Sequence, residues 1–116
     1  MLLSLLLACA IRSKELWVEG GELVCLRLAE CEPDVFTSAE DEAACYDDID
    51  AVAEIYSGCL DQFDCTYDAK VGKAILLEYR EAACPDLAPD LYSELFKAYD
   101  CGEKVADVGD CILSSF

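Results

Sequence analysis

The sequence predicts an all-α domain, a small disulfide-stapled bundle of four to five helices, and three observations carry that prediction. Apolar residues recur at steps of three and four along most of the chain, which is the period of a buried helical stripe. Nine cysteines stand in 116 residues, far above ordinary usage. No segment alternates apolar and polar residues between hairpin turn signals, so strands find little support.

In chain order, residues 1–10 read MLLSLLLACA, an apolar run into small residues with Ala8 and Ala10 in an A-x-A cleavage pattern. This is the form of an export signal, and it is too short to span a membrane. The positive charge that ordinarily precedes such a run is missing, as a truncated gene start would leave it; the alternative is an apolar N-terminal helix belonging to the core. Residues 11–116 then make a single cysteine-rich helical domain, because two cores in so short a chain would each bury too little apolar surface.

Ser13 is placed to cap a short helix through Trp17, Gly20-Gly21 to interrupt it, and Leu23 to Ala29 to form a second segment stopped at Glu32-Pro33. Thr37 with Glu40, or Ser38 with Asp41, makes a capping box that opens the clearest helix, expected to reach about Ser57. Its stripe is Cys45, Ile49, Val52 and Tyr56, extended by Cys59 and Phe63, with Asp47, Asp48, Asp50 and Glu54 on the solvent arc and Gly58 placed to cap or bend the end. Asp68 can cap a third helix with Val71, Ile75, Glu78, Tyr79 and Ala82 on one face, ended by Cys84-Pro85. Pro89 suits the first position of a fourth, whose face is Leu91, Leu95, Ala98 and Tyr99 up to Gly102. A short fifth carries Val105, Val108 and Ile112, weakened by Gly109.

Cleavage after Ala10 removes Cys9 and leaves Cys25, Cys31, Cys45, Cys59, Cys65, Cys84, Cys101 and Cys111, an even set suited to four disulfides in a secreted protein. Six helical residues rise about 9 Å, beyond the reach of a disulfide, so Cys25 and Cys31 must find partners elsewhere. The same geometry separates Cys45 from Cys59 and Cys65 from Cys84. A hairpin at Pro33 makes Cys31–Cys45 the preferred pair, although eight cysteines allow about a hundred connectivities. The phrase C-L-x3-acid-C occurs at Cys25–Cys31 and at Cys59–Cys65, each followed by Glu-Ala-Ala-Cys, and chance and duplication account for it equally well. Zinc is the rival use of thiols, but there is neither a C-x2-C knuckle nor a histidine, and no metal or other cofactor is expected.

The absence of histidine also removes Ser-His-Asp and Cys-His catalysis, and no catalytic constellation is recognisable, so the chain is read as a non-enzyme. A carboxylate pair could still hydrolyse glycosides, given a cleft that separates two carboxyl pKa values. The net charge of -17 argues against nucleic acid and against anionic lipid, and favours basic partners. Thirteen acids and no base lie between Leu28 and Ala69. They do not fall in the frame of a calcium-binding EF-hand loop, and a solvated helix face explains them.

From Cys45 onward, the order C-x13-C-L-x3-D-C-x18-C-x16-C-x9-C resembles secreted cysteine-rich helical domains of nematodes and other invertebrates whose function is unknown, over about two-thirds of the chain. The resemblance implies secretion and disulfides and names no activity. The leading expectation is therefore an extracellular binding or interaction module that engages a basic protein through an acidic helical face. The alternative is a carrier of a small apolar ligand, which needs an enclosed apolar cavity and for which Tyr56, Phe63, Tyr79, Phe96 and Tyr99 could serve as lining or equally as core.

Overall fold

A computed structural model describes residues 12–116; the expected export signal over 1–10 and its cleavage site lie outside them. The elements are α1 (Ser13–Cys31), α2 (Ala39–Asp47), α3 (Ile49–Gln62), β1 (Thr66–Tyr67), α4 (Ala69–Glu81), α5 (Leu91–Leu95), β2 (Tyr99–Asp100) and α6 (Val105–Ser114). Single 3-10 turns stand at Pro33–Val35, Cys84–Asp86, Phe96–Ala98 and Gly102–Lys104. The fold is all-α and held by four disulfides; the one sheet among the described residues pairs Thr66 with Asp100 and Tyr67 with Tyr99, antiparallel.

Helix α1 is the axis of the bundle and packs on α2, α3, α4 and α5. It runs unbroken through Gly20-Gly21, correcting the expected interruption, and the reason is proximity. A Cβ on Gly20 would stand 2.7 Å from Leu95 Cδ1, and one on Gly21 2.9 Å from both Ile49 Cγ2 and the Tyr92 hydroxyl. The two glycines let α5 and the start of α3 approach the α1 backbone. Arg12, not Ser13, is the N-cap residue; the Ser13 hydroxyl is instead hydrogen-bonded to that of Tyr99.

The helix expected from Thr37 to Ser57 is two. Ser38 does cap α2, its hydroxyl accepting the Asp41 N–H, while the Asp41 carboxylate accepts the Thr37 N–H. The chain then bends at Asp48 (φ -96°, ψ 0°) before α3. Asp47 and Asp48 together are weak helix formers whose side chains compete for backbone groups. Taken as one bent unit, α2 and α3 leave five helices. Gly58 lies inside α3 rather than at its end, and nothing stands within 4 Å of the place a Cβ would take there; the turn comes later, at Asp64 with φ 53°.

Asp68 caps α4 as expected, accepting the N–H groups of Lys70 and Val71. The buried stripe, however, is Gly72, Leu76 and Tyr79, while Val71 and Glu78 are exposed. Leu16 of α1 seats where Gly72 has no side chain, so the packed face is centred on a residue without hydrophobic signal. Asp90 caps α5 through the Ser93 N–H, which places Pro89 before the cap rather than inside the helix. Leu91, Leu95 and Ala98 are buried as expected, as are Val108 and Ile112 of α6, but Val105 is 64% exposed.

Trp17, 1% exposed, is the centre of the core. Tyr56 and Tyr92 meet it edge-on at 4.7 Å and 5.7 Å between ring centroids, Phe96 lies tilted at 5.0 Å, and its indole N–H donates to the Tyr99 hydroxyl at 3.0 Å. A buried indole normally requires such an acceptor. Arg27 ties α1 to the end of α4: its guanidinium donates to the Ala82 carbonyl and reaches Glu30 at 3.5 Å. A cation there also suits the negative end of the α4 dipole.

Candidate functional site

The eight cysteines singled out by the sequence form four bonds: Cys25–Cys45, Cys31–Cys84, Cys59–Cys111 and Cys65–Cys101. No pair lies within one helix, as helical rise requires. The preferred Cys31–Cys45 pair is replaced by Cys25–Cys45 and Cys31–Cys84. Cys31 ends α1 and Ala39 begins α2, and α2 turns back along α1, so residues equally distant from the turn face one another. Cys45 is six residues into the return and Cys25 six before the turn. Cys31, left at the turn itself, bonds the segment after α4. The two C-L-x3-acid-C phrases behave differently: the first lies within α1, whereas the second straddles the end of α3 and bonds the C-terminal region.

All thirteen acids between Leu28 and Ala69 are exposed. Two of them make ion pairs among the described residues, Asp50 with Lys14 at 3.3 Å and Glu30 with Arg27. In that stretch Val35 and Tyr46 are large apolar side chains open to solvent, and Tyr46 of α2 stands beside the likewise exposed Leu26 of α1. With Leu23, Glu19, Glu22 and Arg80, Tyr46 and Leu26 line a shallow depression of about 390 Å³.

A larger groove of about 790 Å³ lies on the other flank of α1 and is open to solvent. Val24 and Leu28 of α1, Ile49 of α3, and Leu87 and Ala88 of the segment after α4 give it apolar walls. The Cys25–Cys45 and Cys31–Cys84 bonds both line it, fixing its sides covalently. Glu32 and Asp90 are the charged residues of its lining. It shares Tyr79, Ala88 and Leu91 with a second depression of about 560 Å³, whose charged residues are Glu78, Glu81, Asp86, Glu94 and Lys97. Lys97 is paired with Glu94.

Of the aromatics considered as pocket lining, Tyr56, Phe96 and Tyr99 pack around Trp17, Phe63 is half-buried against the core, and Tyr79 alone borders the groove. An open groove is not the enclosed chamber that a carrier hiding its whole ligand requires. Leu87 and Ala88 escape a reading of the sequence because they lie between periodic segments, and Asp90 because it falls inside the expected fourth helix, where the structure has it as the cap; the bracket of Pro85 and Pro89 is the available signal.

Burial raises the hydroxyl pKa of Tyr56, Tyr79, Tyr92 and Tyr99, and pushes that of Tyr67 up to about 12, with Tyr99 and the carboxylates of Glu19, Asp68 and Glu15 adding to the effect. Tyr67 stacks on Tyr99 at 5.0 Å, and its buried hydroxyl makes no hydrogen bond among the described residues. None of the 25 acids is buried, Glu19 and Glu94 being half-exposed, so the glycosidase alternative finds no carboxyl withdrawn from water. Among the described residues no group of three or more histidine, cysteine, aspartate or glutamate side chains is gathered to hold a metal ion, and no helix is long and apolar enough to cross a membrane. No family model, curated protein or solved structure matches the chain.

Proposed function

We propose that this is a secreted interaction module that binds a basic protein through the acidic solvent side of α2, α3 and their flanking turns. The observation that carries the reading is the exposure of thirteen consecutive acids with two ion pairs among them. A surface left so largely uncompensated repels itself, and a cationic partner relieves that repulsion while speeding encounter. Tyr46, with Leu26 beside it, supplies an apolar anchor at the edge of the charged field. The four disulfides accord with an oxidising compartment.

The test is capture of partners from extracellular fluid on the immobilised protein, with the captured partner then titrated at low and high salt. Affinity is expected to fall at least tenfold between about 0.05 M and about 0.5 M salt, as the Debye length shrinks below the charge spacing. Neutralising four acids together (Asp47→Asn, Asp48→Asn, Asp50→Asn, Glu54→Gln) should cost a similar factor. Binding indifferent to both salt and neutralisation refutes the reading.

A further inference from the structure

We infer that the groove between α1 and the segment after α4 is a binding site for a small cationic amphiphile, an alkyl or aryl body carrying an ammonium or similar positive head. This goes beyond the protein-partner reading and does not depend on it: of the thirteen acids that carry that reading only Glu32 lines the groove, and α2 and α3 contribute only Cys45 and Ile49. Its volume of about 790 Å³ falls in the range of small-molecule sites, and most of its lining residues are apolar while nearly half of the wall surface is polar. Two disulfides hold the walls, so little ordering is needed on binding.

The openness of the groove decides the kind of ligand. A wholly apolar molecule lying there would leave part of its surface in water, whereas an amphiphile places its polar end in that opening. The charges decide the sign of that end. In the groove they are Glu32 and Asp90, both carboxylates and both exposed. The adjoining depression adds Glu78, Glu81 and Asp86, and its cation, Lys97, is already paired with Glu94. Arg27, on the same helix, does not line the groove and is held by the Ala82 carbonyl and Glu30. An anionic head would meet carboxylates alone, and a cationic head meets two at the rim.

The experiment compares decylamine, decanol and decanoate, three ligands of one chain length, by calorimetric titration below their aggregation thresholds. The amine is expected to bind at least tenfold more tightly than the alcohol, and the alcohol more tightly than the carboxylate. The double variant Glu32→Gln, Asp90→Asn should bring the amine to the level of the alcohol, while Glu103→Gln, Asp110→Asn, which removes two exposed charges outside the groove, should leave it unchanged. Asparagine retains the capping oxygen that Asp90 supplies to α5, and an unchanged Tm shows that the Glu32→Gln, Asp90→Asn variant is folded. Equal affinities for amine and alcohol overturn the cationic assignment while leaving an apolar site. Equal losses in this variant and in the charge-matched Glu103→Gln, Asp110→Asn also overturn it, by assigning the preference to net charge. Absence of binding by all three ligands overturns the site itself.

Discussion

Gly21 and Gly58 are both helical glycines, and replacing each with alanine should shift stability in opposite directions. In a helix interior alanine is favoured over glycine by about 0.8–1.0 kcal/mol. At Gly58 nothing lies within 4 Å of the added carbon, so Gly58→Ala should gain close to that full amount. At Gly21 the added carbon meets Ile49 Cγ2 and the Tyr92 hydroxyl at 2.9 Å and Ile49 Cγ1 at 3.1 Å. Ile49 is β-branched and stiff about χ1, and two of the three clashing atoms are its own. Overpacking of this kind costs roughly 1–3 kcal/mol; with three close atoms the upper half of that range applies, and the net effect of Gly21→Ala is a loss of about 1–2 kcal/mol. For a chain of this length about 1 kcal/mol corresponds to roughly 4 °C in Tm. Calorimetry with the disulfides intact should therefore raise Tm by roughly 4 °C for Gly58→Ala and lower it by roughly 4–8 °C for Gly21→Ala. If both variants rise together, α1 is not in close contact with Ile49 and Tyr92, and the glycine pair is only a flexible interruption.

Replacing Cys31 and Cys84 together by serine should destabilise the domain by up to about 4 kcal/mol, the chain-entropy value for a loop of this size, measured by urea unfolding; a loss below ~1 kcal/mol would mean the reduced segment stays docked without its bond. Arg27→Ala should cost about 2 kcal/mol through loss of a charge-assisted hydrogen bond and speed amide exchange at the end of α4 around Ala82, whereas unchanged exchange would show that the Ala82 contact does not secure that helix end. Because the folded-state pKa of Tyr67 is raised from 10.0 to about 12, the native state holds its proton more tightly than the unfolded one. Stability from this group is complete below pH 10 and is lost as pH rises towards about 12. Alkaline unfolding followed by tyrosinate absorbance should show Tyr67→Phe resisting that loss, and an identical alkaline profile for the variant would contradict the assignment.

Features written in local chemistry were legible from the residues alone. Ser38, Asp68 and the Glu32-Pro33 stop each act within one turn of backbone, so their effect does not depend on what packs nearby. Features set by what packs nearby were misread. Gly20-Gly21 reads as a break because intrinsic propensity is the visible signal, and the approach of Leu95 and Ile49 that holds the glycines in a helix is not. Gly72 shifts the buried face of α4 for the same reason, since an absent side chain gives periodicity nothing to count. The cysteines show the boundary well: helical rise excluded the wrong pairs within a helix, but the return angle after Pro33 decided that Cys45 meets Cys25. The acidic surface was visible as composition. The groove was not, being assembled from a helix and an aperiodic segment joined by the Cys31–Cys84 bond.

The order of the four bonds along the chain has a consequence for how the molecule ages. Their spans interleave: 25–45 overlaps 31–84, which in turn overlaps 59–111 and the nested 65–101. Every peptide bond from Cys25 to Cys111 is thereby enclosed by at least one covalent cross-link. A protease that cuts once, at the exposed turn before α2 or in the segment after α4, opens the backbone without releasing a fragment. Nicked molecules would keep both halves and, until reduced, differ from intact ones by the mass of one water.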